Sequence, residues 1–268
     1  MPRDYVHGYT EVEAARLSEQ AHTLADLLHH DTVFPEGCRV LEAGCGTGAQ
    51  TEILVRRNPK ALITAVDVSE ASLAQAAHRI DGQAIDSVRF EQSDCSDLPY
   101  ADHHFDQVLV CFMLEHLANT GAVLKELRRV MKPGGVLTVI EGDHGSFYCY
   151  PETEAARQTV RCLIDLQAEA GGDALIGRRL YPLLKQAGFE DVRVSPRVVY
   201  VDPSRPDWEL GFSRNTFIAM VEGVGQQAVQ RKMMTLSAWQ RGINDLKATI
   251  GHGTFHYTFF KAVGRKAN

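Results

Sequence analysis

The segment Val40-Leu41-Glu42-Ala43-Gly44-Cys45-Gly46-Thr47-Gly48, answered nineteen residues after Gly48 by Asp67, constrains this chain more than any other feature. Arg39-Val40-Leu41 is a short run with the look of a buried strand. It ends in an acid and a glycine-rich turn, and then a helical pattern begins. A second apolar run, Ala61 to Val66, ends in Asp67. This is the layout of a nucleoside-binding βαβ unit: glycines let the backbone turn sharply and approach a ligand, and an acid at the tip of the second strand accepts from ribose hydroxyls. The glycine spacing departs from a dinucleotide fingerprint, since Gly44, Gly46 and Gly48 alternate with Cys45 and Thr47. Glu42 beside the turn suits a cationic ligand better than a pyrophosphate.

At these residues the chain resembles the class I S-adenosylmethionine (SAM)-dependent methyltransferases, and among them the small-molecule enzymes of the ubiquinone/menaquinone type. Val40 to Gly48 resembles their motif I, and Ala65-Val66-Asp67-Val68-Ser69 their motif II. Gln92-Ser93-Asp94-Cys95 resembles the adenine-binding turn, which implies Asp94 for the amino group and the Cys95 backbone for a ring nitrogen. The loop after Phe105–Cys111 is implied beside the methionine part, from Cys111 to Glu115 and His116. Lys132-Pro133-Gly134-Gly135 resembles the family's turn before its fifth strand. The resemblance covers about residues 10–145 and further implies an N-terminal helix closing over SAM, with Tyr9 and Gln20 as contacts. The expected cofactor set is therefore Glu42, Gly44, Gly46, Gly48, Asp67, Val68, Asp94, Cys95, Cys111, Gln20 and Tyr9. SAM is the cofactor and S-adenosylhomocysteine the product.

The alternation of strand and helix patterns from residue 39 to 141 implies a parallel sheet with helices on both faces. Strands are expected at 39–43, 61–66, 87–91, 105–111 and 136–141, with helices at about 48–58, 70–80 and 120–131. Ser69 is a plausible N-cap. Before them, Thr10-Glu11-Val12-Glu13 has the form of a capping box, and Leu17, Ala21, Leu24, Leu27 and Leu28 follow at helical spacing. After them come helices at 151–170 and 178–187, a strand at 192–201 in which Pro196 suggests an edge, and a last strand at 255–263. The fold expected is α/β and Rossmann-like: seven strands, mostly parallel, the last antiparallel as the resemblance implies. One domain spans 1–268, with a SAM-binding core at 36–142. Residues 1–35, 145–177 and 203–250 are expected to form a helical cap over the acceptor.

Composition narrows the partner. Residues 1–150 hold 12 of the 28 Lys and Arg and 22 of the 34 Asp and Glu, a balance of −10, which leaves +4 for the remainder. A net charge of −6 argues against a nucleic-acid binder. No apolar stretch is long enough to cross a bilayer and the N-terminus lacks the apolar run of a signal peptide, so a cytoplasmic protein is expected. The six cysteines form no C-x-x-C pair and are read as reduced structural thiols. No His, Cys, Asp and Glu set has metal-ligand spacing, so no metal is expected. The expected partner is a small-molecule acceptor, with no nucleic acid and no membrane; a homodimer is an open oligomeric option.

Methylation of O, N or C on a small metabolite is expected; the transfer aligns a nucleophile behind an activated methyl group, and a hydroxyl, an ammonium or a C–H acid also needs a base. In open α/β sheets the ligand lies beyond the C-terminal strand ends. The fifth strand ends in Ile140-Glu141-Gly142-Asp143-His144-Gly145-Ser146. His144 is the candidate base, with Glu141 or Asp143 to orient it or bind a cationic acceptor, and His116 a second catalytic candidate. Arg178, at a helix start, is a candidate for holding a phosphate or carboxylate on the acceptor. Tyr148, Tyr150, Phe212, Phe217, Met220, Trp239 and Tyr257 are candidates for an apolar wall. Two competing classes are a non-catalytic SAM-binding regulator and a nicotinamide-dependent oxidoreductase. The glycine spacing and the Asp94-Cys95 turn argue against the second.

Overall fold

A computed structural model describes residues 11–81 and 87–268, with side chains from Arg16 onward. Tyr9 and the Thr10 cap therefore lie outside the described residues. Helix α1 runs Glu11–His29, and then β1 (Arg39–Ala43), α2 (Ala49–Arg57), β2 (Leu62–Asp67), α3 (Glu70–Ile80), β3 (Val88–Gln92), β4 (Phe105–Cys111) and α4 (Thr120–Val130) alternate. They continue into β5 (Met131–Tyr150), α5 (Glu154–Glu169), α6 (Leu180–Gln186) and β6 (Phe189–Val201). Helices α7 (Pro206–Trp208), α8 (Ala219–Gly223), α9 (Gly225–Gln230) and α10 (Leu236–Ala248) precede β7 (Thr254–Lys266), and a π-helical stretch, Glu209–Ile218, joins α7 to α8.

The seven strands form one sheet in the order β3-β2-β1-β4-β5-β7-β6, with β7 antiparallel to β5 and β6. The strand pleat divides the core in two. Val40, Ile63, Ala65, Leu109 and Ile140 meet α1, α2, α5 and the 203–250 helices on one face. Leu41, Val66, Val108, Val110 and Val139 meet α4 and α6 on the other. Helix α4 shows the local logic: Asn119 caps its start by accepting from Ala122 N (3.1 Å), and Val123, Leu124, Leu127 and Val130 make its buried stripe. Ser69 caps α3 in the same way, as expected. Pro196 lies in β6, which is an edge strand.

Three elements differ from the sequence expectation. Strand β5 runs well past residue 141: the Lys132–Gly135 turn is looped out between the pairs Phe105↔Met131 and Gln107↔Val136, and the strand then extends to Tyr150 against β7. Residues 145–150 thus belong to the sheet. Strands β6 and β7 are each longer than expected because they pair with one another over almost their whole length. No described helix is long and apolar enough to cross a membrane.

Candidate active site

The glycine loop sits at the C-terminal end of β1. The backbone N–H groups of Gly44 and Cys45 donate to Val66 O (2.8 and 3.0 Å), stitching the loop to β2. Its glycines serve different ends. A side chain on Gly44 would strike Met113 at 2.6 Å and one on Gly48 would strike Ala76 at 2.8 Å, so both permit close packing. Gly46 takes φ +53 with open space beside it, which leaves the loop's outer side bare for a ligand. Asp67 accepts from Gly46 N and Ser69 N, each at 2.9 Å, and so braces the loop as well as marking the tip of β2.

The loop forms one end of a cavity of about 1090 Å³. Gln20, Gly44, Gly46, Asp67, Val68, Asp94, Cys95 and Cys111 all line it. The Asp94 Oδ1 takes both the Ser96 N–H (2.8 Å) and its hydroxyl (2.7 Å), which leaves Oδ2 for a ligand's amino group. Burial pushes the Cys95 thiol up to about 12, so it remains protonated. Thr47 Oγ1, also on the wall, is buried and unpartnered among the described residues. A bare glycine loop, an acid at the tip of β2 and a second acid beyond β3 fit a nucleoside bearing a charged tail.

Two expected cofactor residues are not on the wall. Gly48 begins α2 behind the loop. Glu42 is buried beneath it, and burial, aided by the Asp67 charge, pushes its carboxyl up to about 8. At neutral pH that carboxyl is therefore mostly protonated.

At the far end of the cavity stand His116, His144, Tyr257 and the rings of Phe112, Phe212, Phe217 and Phe259. The pleat of β5 decides which of its titratable groups arrive there: Gly142 and His144 face the cavity, and the alternate residues Glu141 and Asp143 face away. His144 is buried, which lowers its pKa and keeps the ring neutral, and its Nδ1 lies 2.6 Å from the Tyr257 hydroxyl. Its Nε2 is buried without a partner among the described residues. His116 reaches the wall from the turn after β4, with Nε2 3.7 Å from Glu115 Oε1.

Five expectations are corrected. Glu141 does not orient His144; it accepts from Met113 N (3.1 Å) and Leu114 N (2.7 Å) and fixes the turn after β4. Asp143 does not face an acceptor, because both its oxygens hold Arg178 (2.7 and 2.8 Å). Arg178 in turn is neither on the cavity wall nor available to an anion there. Tyr148 is turned outward, half exposed and stacked on His256 at 4.1 Å, because the β5–β7 register shifts between Asp143 and Tyr148. Tyr150 is likewise exposed, whereas Phe212, Phe217 and Met220 reach the wall as expected.

Sequence reasoning missed Arg16 and Gln167 on the wall, while Met113 falls in the expected loop after β4. Gln167 did leave a signal, as the polar residue on the buried stripe Ala156, Val160, Leu163 of α5. Its amide donates to the Glu115 carbonyl and carboxylate (3.2 and 3.1 Å). Phe112 carries a strained φ of 57 at the end of β4, which no sequence pattern signals.

Comparison with known proteins agrees with this geometry. A methyltransferase-domain family matches residues 41–139. The chain is 30% identical over 229 residues to 27-O-demethylrifamycin SV methyltransferase of Amycolatopsis mediterranei, covering 84% of this chain and 77% of that one. It is 36% identical over 101 residues to the ubiquinone/menaquinone biosynthesis C-methyltransferase UbiE of Desulfotalea psychrophila, covering 38% and 40%. Across three curated relatives, one of them the rifamycin enzyme, the chain spans 58%, 77% and 35% of their length. Among solved structures, the cyclase SpnF superposes with a TM-score of 0.59 at 23% identity, covering 92% of this chain and 82% of that one. That likeness carries the fold alone, since one fold hosts several chemistries. The domain match over residues 41–139 and the rifamycin relative, 30% identical over 84% of this chain, agree: this chain belongs to the class I SAM-dependent methyltransferase family.

Proposed function

We propose that this chain methylates a small molecule enclosed in the cavity, on an oxygen where the acceptor is a hydroxyl, with His144 as the base. The observation that carries the reading is one continuous cavity that joins the glycine loop and Asp94 at one end to the neutral, buried His144 at the other. SAM, held by the glycine loop, Asp67, Asp94 and Cys95, would supply an activated methyl group. The protein's own part is alignment and exclusion of water. Residues of α1, α5, the π-helical stretch and α8 close over this space and act as the cap. An enclosed pocket suits a small molecule better than a macromolecule, which needs an open groove. The aromatic rings at the acceptor end favour an apolar body around the reacting group. The likeness to a relative named 27-O-demethylrifamycin SV methyltransferase, a name that places the missing methyl on an oxygen, supports an oxygen acceptor.

Methyl-labelled SAM, incubated with the protein and a cell lysate split into small-molecule, protein and nucleic-acid fractions, tests this. Label is expected in the small-molecule fraction. Label only in a macromolecule would overturn the enclosed-pocket reading, and SAM binding without any turnover would favour a regulator.

A further inference from the structure

His144 cannot act as a base in an arbitrary orientation or tautomer. An imidazole accepts a proton only at the ring nitrogen that carries a lone pair, and the hydrogen bond at the other nitrogen decides which one that is. Neither carboxylate beside it in sequence makes that bond: Glu141 holds the turn after β4 and Asp143 holds Arg178. The contact comes instead from β7, 113 residues away, where the Tyr257 hydroxyl lies 2.6 Å from His144 Nδ1.

The surroundings hold that hydroxyl in place. Tyr257 is 1% exposed and its ring is packed between Phe212 (5.6 Å between centroids), Phe217 (5.5 Å) and Phe259 (4.8 Å). The hydroxyl lies directly over Gly142, where even a methyl group would come within 2.3 Å of it. The absence of a side chain at 142 is what admits the phenol to Nδ1. Burial keeps the phenol protonated and uncharged. Phe217 also meets the His144 ring edge-on, and Nε2 is without a partner among the described residues.

Resting on His144 as the base, we infer that Tyr257 is a positioning residue: it accepts a hydrogen bond from Nδ1–H of His144 and so leaves Nε2 as the proton-accepting nitrogen. When the acceptor hydroxyl gives its proton to Nε2, its oxygen keeps the electron pair that forms the new bond to the methyl carbon. The ring becomes an imidazolium whose Nδ1–H still has the phenol oxygen as its acceptor. The charged groups around the ring are Glu115 and His116 from the turn after β4, Asp143 from β5 and Arg16 from α1. The two carboxylates favour the imidazolium and the two basic residues oppose it; the phenol adds no charge to that set, and as the acceptor for Nδ1–H it favours the imidazolium through the hydrogen bond alone.

The test is ¹⁵N NMR of the histidine ring nitrogens in the full chain with S-adenosylhomocysteine bound, His144 being assigned by its loss in His144→Gln. The wild-type ring is expected to be one tautomer at pH 7, protonated at Nδ1 and bare at Nε2. In Tyr257→Phe, which removes one oxygen and keeps the ring, that single form should give way to a mixture. Its titration should also move to lower pH, because the imidazolium has lost its acceptor. With the acceptor recovered by labelling, kcat should fall roughly tenfold or more at unchanged KM, part of the usual effect of a base. A wild-type ring protonated at Nε2, or a Tyr257→Phe variant with unaltered ring signals and titration, overturns the inference. The wild-type spectrum decides it alone if the variant does not fold. Wild-type turnover by His144→Gln would instead overturn the base reading, independently of the spectra.

Discussion

Replacing Glu42 by Gln isolates the electrostatics behind the glycine loop. The carboxyl is fully buried beneath the loop and titrates at about 8 in the folded protein against 4.5 for a free glutamate. A raised carboxyl pKa favours the folded state only while the group is protonated, so its stability contribution is full below about pH 4.5 and is lost as pH rises through 8. At 1.36 kcal/mol per pH unit, the wild-type protein forfeits under about 1 kcal/mol at pH 5, about 3 kcal/mol at pH 7 and about 4–5 kcal/mol by pH 9. Glutamine carries no such penalty. The stability of Glu42→Gln relative to wild type should therefore rise steadily from pH 5 to pH 9, whatever fixed offset the new amide brings. Urea denaturation of ligand-free protein at pH 5, 7 and 9 reads the difference directly. A stability difference that is constant across that range would mean that Glu42 ionises freely, and the account of a buried carboxyl held protonated behind the loop would fail.

Two other substitutions test the corrected assignments. Arg178→Ala strands the buried Asp143 carboxylate and should destabilise the fold by about 1–2 kcal/mol, discounted for the half-exposed arginine, while leaving the acceptor KM unchanged; a raised KM with unaltered denaturation would restore the anion-binding role. Lys261 is buried, and its ammonium holds Leu28 O (3.1 Å), the Thr32 hydroxyl (2.6 Å) and Asp31 (2.6 Å). Lys261→Met should cost about 1–3 kcal/mol and speed hydrogen exchange in the last turn of α1 before the sheet responds. Uniform exchange throughout would show that α1 is not anchored there.

The cofactor end of the site was legible from the sequence because its parts are local. Glycine spacing, an acid at a strand tip and a capped helix each act through neighbours in the chain. The expected strands in the first half match the observed ones within a residue or so for that reason. The acceptor end was much less legible. The run Glu141 to His144 reads as one cluster of titratable groups, yet a strand sends successive side chains to opposite faces, so His144 alone of its ionisable groups enters the cavity. Tyr148 carried the same parity in sequence as His144 and was turned outward by a register shift that only the pairing with β7 imposes.

The sequence by itself determined the βαβ order, the glycine loop with its two acids, the Ser69 cap and hence the cofactor class, all of them short-range patterns governed by backbone sterics and periodicity. The tertiary structure alone decided what meets the acceptor. The Tyr257 hydroxyl reaches His144 across 113 residues, Arg178 and Asp143 hold each other 35 residues apart, and Glu141 fixes the turn after β4. Such contacts depend on strand register and on which face of a strand a side chain occupies. Those are settled by burial of the whole sheet against its helices, and no local pattern encodes them.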